Sequence, residues 1–241
     1  MWIVLAHGYD ASALWALQRL RERSRHRVEL VLAEALDTPG TKWIHQIGAE
    51  GTRVEVELSD GRRLATPGIR AVLNRLTWPP AGLTAAAAPA DAAYARSELS
   101  AFAVSWVRAL APVVVNVPTP QGLCGRWRPP LQWRMLGAQA GLPIAPLRMA
   151  SAQPGGEEDH RAPSITILTV AGELLCGGAP PEIREGVRRL AVLSGTPILG
   201  LRFTDPDSAH GQWRLLDATP QPDLSAGGDA GIAALEAVLA P

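Results

Sequence analysis

Apolar residues fall in short blocks along this chain, and their spacing changes from block to block. Residues 2–6, WIVLA, form a continuous apolar run of strand length. The polar loop HGYDAS follows. Asp10 or Ser12 can cap a helix over 12–23, in which Leu14, Leu17 and Leu20 share a side. VELVLAE at 28–34 predicts a second strand. A strand, a helix and a strand in this order predict a parallel pair joined by a crossover helix. In RVEVELSDGRRLAT, Val54, Val56 and Leu58 alternate with charged residues, so 53–66 reads as a β-hairpin with a two-residue turn at Asp60-Gly61. IRAVLNR at 69–75 is a further strand that ends in Asn74 and Arg75. Residues 77–93 read as an Ala/Pro/Gly loop. From 91 to 110, Leu99, Phe102, Val104, Trp106, Val107 and Leu110 recur at helical spacing.

PVVVNVP at 112–118 is a β-branched run between prolines, which predicts a buried strand. PPLQWRMLGAQAGLP predicts a helix with Pro130 in its first turn, Gly141 as its cap and Pro143 as a stop. Residues 147–164 read as a loop. SITILTVAGELLC gives two strands about a turn at Ala171-Gly172, and PPEIREGVRRLAVLSG a helix ending at Gly195. ILGLRF and QWRLLD form a strand pair around TDPDSAHG, and a last helix runs from about Asp229 to Leu239. The expected fold class is α/β. An N-terminal lobe with a parallel sheet spans 1–118, and an α+β lobe spans 119–241.

Composition narrows the function. Of 241 residues, 47% are hydrophobic and 19% charged, enough apolar material for a core. Basic and acidic residues number 23 each, so the formal net charge is zero, which argues against a nucleic-acid partner. Lys42 is the only lysine, so every other basic side chain is an arginine. Cys124 and Cys176 are too few for a disulfide framework, and no His/Cys spacing resembles a zinc site. The first residues lack the basic region of a signal peptide, and the apolar stretch at 101–117 is interrupted by Arg108 and Pro112. A soluble cytoplasmic protein, with no membrane contact, is expected.

Several segments in order resemble a known superfamily. VLNR is followed by a tyrosine and a glutamate in YARSEL, by VVVNVP, and by a Trp-containing helix ending AGLPIAP. A strand pair, a helix, GLRF, WRLLDATPQPD and a final helix complete the series. This order resembles the ATP-grasp superfamily, and most closely its ribosomal-protein glutamate ligases and the grasp ligases that macrocyclise ribosomal peptides. The resemblance implies a Rossmann-like pre-ATP-grasp lobe followed by an ATP-grasp lobe. It also implies a chemistry: ATP phosphorylates a carboxylate, and an amine or hydroxyl attacks the acyl phosphate.

Three departures from the family pattern stand out. A mobile lid subdomain follows the AGLPIAP segment in the family, whereas here only residues 147–164 are available. The family's phosphate-binding lysines have no counterpart, since Lys42 lies in the N-terminal lobe. At the metal motif, Asp217 falls at the family's glutamate, Thr219 at its asparagine, and Arg202 at an upstream aspartate. A cation there repels magnesium. The resemblance with these departures implies a degenerate, lid-less protein with no cofactor, no metal site and no catalytic residue. Its expected role is holding a peptide or a partner enzyme in a peptide-modification or natural-product pathway, with homo- or hetero-oligomers open. The alternative is a carboxylate–amine ligase, or a repurposed cleft, active only with a partner chain.

Candidate ligand-binding residues follow. Asn74, Arg75 and Asn116 end predicted parallel strands, where open α/β sheets bind ligands; the alternative is that they are polar residues capping the loops. Arg75 can hold a ligand carboxylate or pair with Glu98, and Arg75→Ala is expected to affect binding more than stability. Tyr94 and Glu98 lie one helical turn apart and can line the same crevice. GRWRPPLQWR interleaves Arg126, Arg128 and Arg134 with Trp127 and Trp133, which reads either as residue types that anchor a peptide or protein interface or as a loop whose tryptophans pack between lobes. Arg202 and Asp217 can form a salt bridge across neighbouring strands. His7 and Asp10 read as capping or packing residues, and both cysteines as inert buried thiols.

Overall fold

A computed structural model of the chain describes residues 1–80, 88–146, 164–175, 178–207 and 212–240. The chain divides into two compact units, Met1–Trp127 with Gly228–Pro241, and Arg128–Gly227. The closing helix thus belongs with the first unit, which a boundary at 118 does not anticipate.

In the first unit, β1 (Trp2–Ala6) pairs in parallel with β2 (Val28–Leu32) across α1 (Ala11–Arg23). Every residue of β1 is buried, as its unbroken apolar run requires of a central strand. Asp10 caps α1 by accepting from the Ala13 N–H at 2.9 Å. A one-turn helix, α2 (Ala33–Leu36), follows β2 directly. A separate antiparallel sheet comes next, with β3 (Lys42–Gly48), β4 (Gly51–Glu57) and β5 (Arg63–Ala65). β3 is a strand that the reading of the sequence missed. The hairpin loop also differs from expectation. Gly61 N–H donates to Leu58 O, Leu58 N–H donates to Arg62 O, and Gly61 has φ +84°. That is a three-residue loop with glycine at its left-handed position, in place of a two-residue turn.

The chain then returns to the parallel sheet as β6 (Ala71–Asn74), continues through α3 (Pro89–Ala109), and adds β7 (Val113–Val115). The sheet order is β2-β1-β6-β7, all parallel. Val54, Val56 and Leu64 from the small sheet, Ile3, Leu5 and Val72 from the large one, and Trp106, Val107 and Leu110 from α3 fill one core.

In the second unit, α4 (Pro130–Gln139) and α5 (Pro181–Ser194) pack on an antiparallel sheet. Its strands are β8 (Ser164–Val170), β9 (Glu173–Leu174), β10 (Ile198–Thr204) and β11 (Leu215–Thr219), ordered β11-β10-β8-β9. Ala171 and Gly172 turn the β8–β9 hairpin with φ of 52° and 82°, the pair of left-handed residues that a two-residue hairpin demands. Trp133, Phe203, Leu199, Leu201 and Leu190 are central to the core. α6 (Gly228–Leu239) joins the first unit, where Asp229 pairs with Arg19, and Glu236 with Arg23 at 3.3 Å, both on α1. No described helix is long and apolar enough to cross a membrane.

Candidate functional site

β1 leads through α1 to β2 on one side, and the chain later returns to β6 on the other. The switch in strand order therefore falls between β1 and β6, and the crevice outside their carboxyl ends is the natural ligand position of an open parallel sheet. The loops after these strands meet there. Beside them is a cleft of about 500 Å³ lined by Thr77, Ser97, Ser100, Thr119, Gln121 and the backbone of Gly122, among others. Pro79, Val104, Pro120 and Leu123 make the rest of its surface largely apolar, and with no charged side chain in the lining it suits a peptide segment or another uncharged ligand.

A buried hydrogen bond holds one lining residue, Leu123, from behind. Asn74 is fully buried, and its Nδ2 donates to Asn116 O at 2.9 Å and to Leu123 O at 2.6 Å, while its Oδ1 accepts from the Leu76 N–H. Asn116 turns left-handed, φ 58°, a conformation that asparagine tolerates better than most residues. Its Nδ2 lies 3.7 Å from the Cys124 Sγ. Burial pushes the Cys124 thiol up to about 11, with Arg75 pulling the other way. That matches an inert thiol; Cys176 lies outside the described residues. Asn74 therefore ties the β6 and β7 loops together through three bonds to backbone groups, and Asn116 is buried beside it.

Arg75 is 3% exposed and grips Asp10 through two bonds, Nε to Oδ2 at 2.8 Å and Nη2 to Oδ1 at 3.1 Å. Its carboxylate partner is thus Asp10, the α1 cap, and not Glu98. This pair ties the end of β6 to the start of α1. Beside it, His7 is buried, and its Nε2 accepts from the Thr77 N–H at 3.2 Å. Burial lowers the His7 pKa, with Glu34 and Asp10 opposing the shift. The Glu34 carboxylate sits 3.7 Å from His7 Nδ1 and accepts from the Gly8 N–H through both oxygens. Tyr9 stacks on His7 at 5.1 Å, and Trp78 lies 6.0 Å away, tilted by 51°. Sequence reasoning reduced His7 to packing and missed Glu34, Tyr9, Thr77 and Trp78. The available signal was the position of these residues just after β1, β2 and β6.

The other expected residues are spread out. Tyr94 and Glu98 are exposed on α3. By helical spacing Tyr94 extends the Ser97–Ala101–Val104 stripe that lines the cleft. Trp127 is exposed, as is Arg126. Trp133 is not available to a ligand: it is buried in the core of the second unit, with the Arg128 guanidinium 4.9 Å over its ring. Arg202 and Asp217 stand directly opposite each other on β10 and β11, next to a bulge, and Asp217 Oδ1 accepts from the Ala218 N–H. Among the described residues no three of His, Cys, Asp and Glu gather as metal ligands.

No protein-family model matches the chain, and no curated protein does. Solved structures do. The macrocyclase MdnC of Microcystis aeruginosa bound to its precursor peptide MdnA matches with a TM-score of 0.73 at 10% identity, over 100% of both chains. The ATP-grasp ligase PsnB with a minimal precursor, Mg and ADP matches at 0.64 and 16% identity, over 99% of this chain and 97% of that one. A Chryseobacterium gregarium ATP-grasp ligase with ADP and a leader and core peptide matches at 0.67 and 6% identity, over 98% and 96%. The chain has the fold of these ATP-grasp ligases.

Proposed function

We propose that this ATP-grasp-fold chain binds a peptide and takes part in its carboxylate–amine ligation, with a partner chain completing the phosphate-binding set. The observation that carries this is the likeness along nearly the whole chain to ligases captured with precursor peptides, two of them also with ADP. The uncharged cleft, largely apolar with a few hydroxyl groups, supports the peptide part. In such a ligation the γ-phosphoryl group passes to a carboxylate oxygen, giving an acyl phosphate and ADP. The amine nitrogen then attacks the acyl carbon, phosphate leaves with the C–O electron pair, and the nitrogen loses a proton to leave an amide.

The residues of this chain do not fit a magnesium pair, since Asp217 faces Arg202 across the strands and no acidic cluster accompanies it among the described residues. No step is assigned to a metal held here. Nor can Lys42 serve a triphosphate, because it is exposed on β3 and pairs with Glu57 at 3.1 Å. A partner would supply these cations. The same departures favour a second reading, a binding protein that delivers the peptide without joining the chemistry. Incubating peptide, ATP and Mg²⁺ with the chain, with its co-purifying partner, and with both separates the two. ADP and a peptide lighter by one water are expected only when both are present. Product from the partner alone at an equal rate contradicts the ligase role.

A further inference from the structure

We propose that the mouth of the crevice between β1 and β6 takes a cationic amino group, a primary ammonium or a guanidinium, held by Glu34 with the exposed rings of Tyr9 and Trp78, all three of which gather about the His7 imidazole. That the cation belongs to a peptide rests on the reading above; the chemistry of the mouth does not.

Charge comes first. Asp10 and Arg75 are both buried and cancel each other through their two-point pair. His7 uses Nε2 as an acceptor for the Thr77 N–H, which requires that nitrogen to be unprotonated. Glu34 is therefore the net charge of the mouth, and its side chain is 54% exposed. The Gly8 N–H fixes the carboxylate at 3.1 and 3.2 Å but uses little of its acceptor capacity, so the remainder faces outward.

The rings come second. Tyr9 is 66% exposed and Trp78 61%, an unusual outlay of aromatic surface beside one carboxylate. Both are positioned. Tyr9 lies parallel to the buried imidazole, within 10°, and its hydroxyl meets Thr77 Oγ1 at 3.4 Å. Trp78 stands at an angle on the other loop. Two exposed rings and a carboxylate gathered about one imidazole complement a cation. An anion is disfavoured, because Glu34 repels it and Asp10 already occupies the N-terminus of α1.

The test is a titration of the full chain with N-acetyl-lysine methylamide, followed at the Trp78 indole N–H by NMR. Saturable shifts are expected, and the Nε-acetylated compound is expected to give none. Glu34→Gln should weaken binding by about tenfold and Trp78→Ala by about fivefold. Both side chains are exposed, and the contrast between free and acetylated lysine needs no variant at all. Cadaverine binding as tightly as the capped lysine assigns a free diamine as the source, and weaker cadaverine binding assigns a peptide. Equal binding of the acetylated compound, no binding, or full affinity in Glu34→Gln overturns the proposal. The titration uses neither ATP nor a partner, so its failure leaves the ligation reading standing, and absent ligation with intact amine binding removes that reading alone.

Discussion

The two units bury arginine to different ends. In the first, Arg75 answers a buried carboxylate at the edge of a parallel sheet, and the pair aligns loops that an open crevice needs. In the second, Arg134 donates to Leu216 O at 2.8 Å and Pro146 O at 3.1 Å, and Arg128 donates to Ser194 O at 2.9 Å. These guanidinium groups satisfy backbone carbonyls and close the unit on itself. The same residue type thus builds a site in one unit and staples a core in the other. The lesson is that Arg-rich sequence is weak evidence for a binding surface until burial is known. The segment GRWRPPLQWR reads as an interface anchor or as packing, and it divides between the two: Arg128, Trp133 and Arg134 are buried, and Trp127 is exposed.

That contrast can be broken most sharply at Arg75. Arg75→Ala leaves Asp10 buried with its Ala13 N–H contact but no guanidinium, and should destabilise the protein by about 3–5 kcal/mol in chemical denaturation. This reverses the sequence expectation that binding suffers more than stability. A loss below about 1 kcal/mol would show that the pair is solvated, and that the first unit's edge is not built on it.

Acid gives a smaller and more selective effect. Burial lowers the pKa of both His7 and His45 from the ordinary 6.5. The unfolded chain then binds more protons below pH 6.5, so stability is full above that value and falls as the pH drops through the lowered native values. Among the described residues all histidines, His7, His26 and His45, lie in the first unit. Amide exchange near pH 5 should accelerate there before it does in Arg128–Gly227. Equal acceleration in both units would remove the histidines as the cause.

What the sequence made legible follows from range. Asp10 as a cap, Gly195 at a helix end with φ 63°, and Ala171-Gly172 as a turn are decided within a few residues, and each stands as expected. The amphipathic α5 was equally local. β3 escaped because its apolar residues, Trp43, Ile44 and Ile47, do not alternate, and because its half-buried face includes His45, whose partner Ser105 at 2.8 Å is 60 residues away. The crevice escaped for the same reason. Arg75 finds Asp10 65 residues back, and His7 finds Thr77 70 residues ahead. Pattern reading placed strand ends on one edge, which is where the candidate crevice lies, but not which polar groups there bond to one another. Residues 81–87, 147–163, 176–177 and 208–211 lie outside the described structure, and with them the loop expected at 147–164 in place of a lid.

The central claim is that the first unit's carboxyl edge receives a peptide. Hydrogen exchange on the full chain, with and without the peptide that its partner enzyme modifies, tests it most directly. Protection is expected in the backbone of 7–10, 75–80, 97–104 and 119–123. Protection confined to Arg128–Gly227 would contradict it.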